Sequence, residues 1–303
     1  MHNTVLILGP TGRMGRNAAL AFEEAGWEVR RFDRKKDTLW DAAWGASVIV
    51  NAWNPLYHEW EEQVPEMTAN IIEVAKAGNA TVIIPGNVYT YGERAPAAFG
   101  HETPQLADNP LGKVRIDMEA AYRAADIQTI VVRAGDYIDT RASGNWFDMI
   151  MAKKAAKGVF TSPGPVNCPR AYSFLPDVAA TMVALADKRA SLGKFEDVNA
   201  PSYELTAEQF ATAIGDLLGR TVTAKKMAWW PIQLLRPVWP VARGIVEMRY
   251  LWSKPHFLTA QRQMELCPEV GLTPLNEALR QALGHQIDPD KVVWASGKAV
   301  TAQ

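Results

Sequence analysis

Cysteine is scarce in these 303 residues: Cys168 and Cys267 stand far apart and outside any Cys-x-x-Cys, which argues against a disulfide framework or a thiolate zinc site. The five histidines, His2, His58, His101, His256 and His285, show no ligand spacing, so no metal is expected. Nor is there an excess of positive charge. With 32 Lys and Arg against 33 Asp and Glu the net charge is −1, which speaks against nucleic acid as a partner. No uninterrupted apolar run reaches membrane-spanning length, and a strand pattern already begins at Thr4, leaving no room for a secretory signal. The expected location is cytoplasmic. Internal repeats, low-complexity blocks and independent linkers are lacking too. The remainder is an ordinary globular composition, 48% apolar and 21% charged, sufficient for one large α/β domain or a cofactor domain with a smaller appendage.

The most informative stretch is TVLILGPTGRMG, from Thr4 to Gly15. Its apolar run Val5 to Leu8 suits a parallel strand buried on both faces, and Gly9, Gly12 and Gly15 follow at once. Gly9 allows a tight turn, Gly12 a close approach of backbone to a pyrophosphate, and Gly15 close packing of a helix running from about Arg13 to Ala25. That helix start offers free N–H groups and partial positive charge to a phosphate, so Gly9, Thr11, Gly12, Arg13, Met14 and Gly15 form a candidate dinucleotide-phosphate site.

A second strand over Glu28 to Phe32 ends where the cofactor is chosen. Asp33 is placed to accept hydrogen bonds from an adenosine ribose, favouring NAD. Arg34 next to it, and Arg13 in the glycine loop, suit a 2′-phosphate and favour NADP. The preference falls on NADP, with NAD the alternative. ASVIVNA, Ala46 to Ala52, is a third apolar strand and leads into NAWNPLYHEW. Ligands of open parallel sheets lie beyond the carboxyl ends of the strands, so Asn51 and Ala52 are assigned to the cofactor and Trp53, Tyr57 and His58 to the substrate. Plain packing of Trp53 and Trp60, and a surface place for His58, are the competing readings. A helix over Glu61 to Lys76, closed by Gly78, precedes the strand Thr81 to Pro85 and the turn GNVYTYG.

Together GPTGRMG, GNVYTYG, HETPQLADNPLGKVRIDME, RAGDY at Arg133 to Tyr137 and YSFLPDVAA at Tyr172 to Ala180 resemble the extended short-chain dehydrogenase/reductases, the epimerase/dehydratase group. The resemblance spans most of the chain in the family's order. It implies a catalytic hydroxyl at position 85, a tyrosine at 111 and a lysine at 115, but those positions hold Pro85, Leu111 and Arg115. Leucine exchanges no proton; Arg115 still donates hydrogen bonds to a ribose or phosphate. Lys113 is two residues away and on another face of the helix. The chain therefore resembles atypical members with the triad replaced. Asn87, Tyr89, Tyr91 and Arg115 become the candidate catalytic set, Tyr137 and Trp146 further substrate contacts, and Pro85, Ala134 and Gly135 cofactor contacts. Structural anchoring is the competing role for each tyrosine and for Asn87.

The fold class expected is α/β, a Rossmann-type doubly wound parallel sheet with a smaller C-terminal substrate lobe. Residues 1–140, completed by about 172–200, form the NAD(P)-binding part; 141–171 and 201–303 form the lobe. A helical piece is expected around Trp146 to Ala156, and a helix capped by Thr206 and Gln209 and closed by Gly219. The segment Trp229 to Trp252 carries four of the eleven tryptophans and three prolines, read as helix breakers; it is assigned to a lid or packed lobe, an interfacial membrane contact being the other reading. The tail beyond Lys298 is expected to be unstructured. Two functional classes follow: an NAD(P)-dependent oxidoreductase or epimerase-like enzyme acting on a small carbonyl or hydroxyl substrate, or a non-catalytic NAD(P)-binding redox sensor. The sequence leaves a homodimer open.

Overall fold

Val5 and Ile7 face one apolar cluster and Leu6 and Leu8 another, all wholly buried, so the first strand is covered on both sides. The computed structural model of the chain describes residues 3–285. His2 and the tail beyond Lys298 lie outside them. The strands are β1 (Thr4–Leu8), β2 (Glu28–Arg31), β3 (Val48–Asn51), β4 (Thr81–Gly86), β5 (Ala98–Phe99), β6 (Thr129–Arg133), β7 (Asp136–Ile138), β8 (Val159–Ser162), β9 (Arg170–Phe174), β10 (Phe195–Asn199), β11 (Tyr203–Leu205), β12 (Thr223–Lys226) and β13 (Phe257–Leu258). The helices are α1 (Arg13–Glu24), α2 (Leu39–Ala43), α3 (Trp60–Gly78), α4 (Pro110–Ala124), α5 (Leu175–Asp187), α6 (Ala207–Leu218), α7 (Trp230–Leu235), α8 (Pro240–Glu247), α9 (Gln261–Leu266) and α10 (Leu275–Leu283).

Six parallel strands form the central sheet in the order β2-β1-β3-β4-β6-β10. Helices α1 and α5 cover one face through Met14, Ala18, Phe22, Val178 and Met182; α3 and α4 cover the other through Trp60, Val64, Ile71, Met118 and Tyr122. This is the doubly wound α/β arrangement. The chain reverses direction across the sheet between β1 and β3, and the carboxyl ends of those strands therefore border the crevice where ligands bind in such sheets. A third apolar cluster, with Phe147, Phe160, Tyr172, Phe210 and Leu279, joins α6, α10 and the short sheets β11-β9-β7 and β12-β8.

Local departures from the sequence reading have physical causes. Gly78 is the last helical residue of α3, and Asn79 closes the helix at φ 49°, a left-handed conformation that asparagine tolerates. The expected helix over 146–156 is broken into a wide turn, Phe147–Met151, a tight turn, Ala155–Lys157, and then β8. The Trp229–Trp252 prolines leave no long helix, as expected: α7 and α8 are short, and Pro231 and Pro240 each sit in a first helical turn, which needs no N–H from them. Thr206 and Gln209 form the expected reciprocal cap, and Gly219 closes α6 at φ 60°.

One buried charge cluster holds the site's supports together. Arg133, at the end of β6 and fully buried, pairs with Glu119 of α4 at 3.0 Å and Asp197 of β10 at 2.5 Å. It also donates to the Asn87 carbonyl at 2.6 Å, fixing the turn after β4. Burial acts to raise Glu119, but Arg133, with help from Arg115 and Gln105, holds its carboxyl below the ordinary range. Replacing Arg133 by Met leaves two buried carboxylates without their cation. Arg133→Met is expected to lose about 3–5 kcal/mol of stability, read by urea denaturation; a loss indistinguishable from zero would show the cluster to be incidental.

Candidate functional site

Gly9 leaves β1 at φ 71°, and a side chain there would meet the Ala52 carbonyl at 3.0 Å. At Gly15 a Cβ would stand 2.2 Å from the Gly9 carbonyl oxygen, so α1 sits against the bend at a distance only glycine permits. Gly12 precedes α1, its N–H donating to Gly9 at 3.1 Å. No side chain caps α1, and its first turn holds no acidic residue. The helix start thus keeps its positive end directed at whatever lies beyond the bend. Thr11, Gly12, Arg13 and Met14 line a cleft of about 1580 Å³ that continues past Asn51 and Ala52 to Pro85, Ala134 and Gly135. Gly15 is buried beneath it.

At one end the cleft is bounded by Asp33, Arg34 and Lys35. The Asp33 carboxylate accepts the Lys35 N–H at 3.0 Å and faces the Lys36 ammonium at 3.4 Å; the first of these chiefly, and then Lys36, holds it below its ordinary value. The Arg34 guanidinium lies 5.0 Å from the Trp53 ring, which leans on Phe32. Arg13, expected at this edge, is turned elsewhere. It donates to the Gly144 carbonyl at 3.0 Å, and its charge acts on Tyr57 and Tyr137.

The other end is aromatic. Tyr57 and Tyr89 join hydroxyls at 2.6 Å, with Trp60 against both rings. Burial pushes both phenols above the ordinary value, Tyr89 strongly because Tyr57, Asp136 and Tyr137 add to it; burial likewise raises Tyr137. Each stays protonated near neutrality. Asp136 is raised by burial, against the pull of Arg170 at 2.8 Å. The Arg170 guanidinium lies 3.9 Å from the centre of the Trp252 ring and contacts the Tyr172 hydroxyl.

Arg115, 7% exposed, donates to the Pro85 carbonyl at 2.7 Å and lies 5.6 Å from the Trp60 ring, while its Nε has no hydrogen-bond partner. Burial lowers its pKa, against the pull of Glu119. Leu111 is buried at the start of α4, where its N–H donates to Glu247 at 2.7 Å.

Besides Gly15, two of the predicted residues are not brought to the cleft wall. Tyr91 is buried against Phe99, its hydroxyl donating to the Gly100 carbonyl at 3.3 Å, and His58 is exposed on a tight turn. Asn87 lines the cleft, but its side-chain oxygen accepts the Tyr89 N–H at 3.0 Å, so part of its capacity anchors the turn. Gly135 lines the cleft, and a Cβ there would stand 2.3 Å from the Ala171 carbonyl, so its smallness also admits β9. Trp146 lines the cleft while leaning on Trp229 and Trp252.

Ile245, Met248, Leu251 and Trp252 fall in the segment read as a lid or packed lobe but were not singled out, and His256 lies beyond it; the five roof the aromatic end. The spacing of the first three, one every third residue, was the available sign of a helical face. Gly244 explains the closeness of that roof, since a Cβ would fall 2.7 Å from the Tyr57 Cβ. Among the described residues no helix is long and apolar enough to cross a membrane, and no group of three His, Cys, Asp or Glu is placed to hold a metal.

The fold is shared with solved structures. L-threonine dehydrogenase from Clostridium difficile superposes with a TM-score of 0.72 at 14% identity, over 95% of this chain and 100% of that one. UDP-glucose 4-epimerase from Brucella ovis, in complex with NAD, gives 0.69 at 16% over 93% and 98%. The human epimerase family protein SDR39U1, with NADPH, gives 0.68 at 18% over 93% and 98%. At such identities the likeness is one of fold. No family model and no curated protein sequence matches the chain.

His256 yields a pH test. Its ring stacks on Phe99 at 5.3 Å, with Nδ1 2.9 Å from the Lys254 carbonyl, and burial pushes its pKa from 6.5 down to about 4. Below pH 6.5 the unfolded chain binds a proton that the folded chain refuses, so stability falls as pH drops, and this contribution levels off below about 4. The loss approaches roughly 3 kcal/mol at its limit. Denaturant titrations across that window should give a shallower fall for His256→Asn than for the parent; equal slopes would contradict the assignment.

Proposed function

We propose that the chain is an NAD(P)-dependent oxidoreductase, NADP being preferred, acting on a small substrate that carries a carbonyl or hydroxyl group. The observation that supports this most directly is the continuity of the cleft. At about 1580 Å³ it exceeds the roughly 300–1,000 Å³ of an ordinary small-ligand site and joins an uncapped helix start to a buried group of phenols. A dinucleotide and a second ligand fit such a shape. The uncapped α1 and the Gly9 bend suit the diphosphate, Asp33 and Arg34 the adenosine ribose, and Ala134 and Gly135 the carboxamide region. When bound, the nicotinamide supplies or accepts the hydride.

The chain's own part is proton management and orientation. Leu111, Pro85 and Arg115 stand at the triad positions of the family resembled, so the proton donor is sought elsewhere. Tyr89, protonated and joined to Tyr57, is suited to give a proton to an oxygen on reduction; its raised pKa disfavours the opposite direction. Arg115 directs its Nε–H to the nicotinamide ribose or to a phosphate. The same Leu111 and Pro85 favour a second reading, a redox sensor that binds the cofactor without turnover.

Two measurements test this. Titration with NADPH and NADH should show tighter binding of NADPH, and Arg34→Ala should weaken NADPH about tenfold more than NADH; an unchanged ratio removes Arg34 from the choice. On a substrate found by carbonyl screening, Tyr89→Phe should lower kcat by about a hundredfold or more with KM little altered. Cofactor binding with no turnover across the screen would favour the sensor, and absence of binding would refute both.

A further inference from the structure

Trp230, Leu234, Leu235, Val238 and Trp239 all project from the outer side of the α7–α8 hairpin, within ten positions. Leu234 is 71% exposed and Val238 78%. Contiguous apolar surface of this kind on a folded chain marks a contact site. Its sequence neighbours are one-signed: between Asp216 and Glu247 there is no acidic residue, whereas Arg220, Lys225, Lys226, Arg236 and Arg243 fall there and all are exposed; acidic groups near α8 come from its end at Glu247 and from other segments, Glu59, Glu93 and Asp108. In a chain of net charge −1 this is a local concentration of positive charge.

We propose that this face docks on an anionic lipid surface, the apolar side chains entering the headgroup boundary and the five basic residues facing lipid phosphates. Tryptophan beside basic residues suits that boundary, where one end of the ring is apolar and the other wet. Prolines 231, 237 and 240 set the hairpin's shape before contact, and Arg243 braces it by donating to the Arg236 and Pro237 carbonyls at 3.4 Å. A second copy of the chain is a poor occupant, since a two-fold contact would bring the basic groups of one copy towards those of the other. On the inner side of the same hairpin, Gly244 rests on Tyr57 and Ile245 and Met248 line the cleft, so docking places the roof of the site at the lipid boundary. The proposal holds whichever cofactor the cleft accepts.

The test is co-sedimentation of the full-length protein with phosphatidylcholine vesicles, alone and containing phosphatidylglycerol. Binding is expected only with phosphatidylglycerol and should weaken as salt is raised. Arg236→Gln and Lys225→Gln should each reduce partitioning about fivefold. Leu234→Ser combined with Val238→Ser should abolish it at an unchanged melting temperature, both side chains being exposed. Failure to sediment with the anionic vesicles would overturn the proposal. So would retention by the double variant, or a dimer seen in analytical ultracentrifugation that the double variant disperses.

Discussion

The buried guanidinium of Arg133 is the constraint on which the site's geometry depends. A cation sealed from water must be paired, and here its partners come from three places in the chain: Glu119 on α4, Asp197 on β10 and the carbonyl of Asn87. These fix the sheet's end, the helix beside it and the turn that carries Tyr89. Arg133 takes both Glu119 oxygens, one with each terminal nitrogen, and Gln105 adds a further donor to Oε2. The position of the Tyr89 hydroxyl is thus settled by ion pairing behind it as much as by the rings around it.

Much of the fold was legible because its signals are local. Apolar runs at residues 5–8, 82–84 and 130–132 are too short for helices and read as buried strands where glycine or proline follows closely. The Gly9 and Gly15 reading was legible for the same reason, since a left-handed turn and a 2.2 Å collision leave one residue type. The role of Arg13, the β9 packing of Gly135 and the role of Tyr91 were not. Each is decided by a residue distant in sequence, Gly144, Ala171 and Gly100 respectively. A lid over 229–252 could be read from the sequence, but which of its residues face the cleft could not, their apolar spacing being that of any packed helix.

The electrostatics of the cleft have a direction. Arg13, Arg34, Arg115 and Arg170 line it against Asp33 and Asp136, and both carboxylates already have cationic neighbours. An anionic ligand therefore meets surplus positive charge along most of its length. At the aromatic end burial works oppositely on the two kinds of group: it keeps Tyr57, Tyr89 and Tyr137 protonated and His256 unprotonated. Donors there are phenolic and uncharged, which suits delivery of a proton to an oxygen that gains charge.

Helix α4 ties the roof to this chemistry. Its exposed beginning would leave N–H groups unpaired, and Glu247 at the end of α8 meets that need from a distant part of the chain, accepting from Leu111 at 2.7 Å and from the Asn109 side chain at 2.6 Å. Leu111, Arg115 and Glu119 follow at four-residue spacing and share one face, so a single helix carries the anchor to the roof, the guanidinium over Trp60 and the anchor to Arg133. A shift of α8 along that helix would break the Glu247 bonds, strain the Arg133 pair or displace Arg115 from the Pro85 carbonyl. The carboxyl end of α8 is thereby tied to the start of α4.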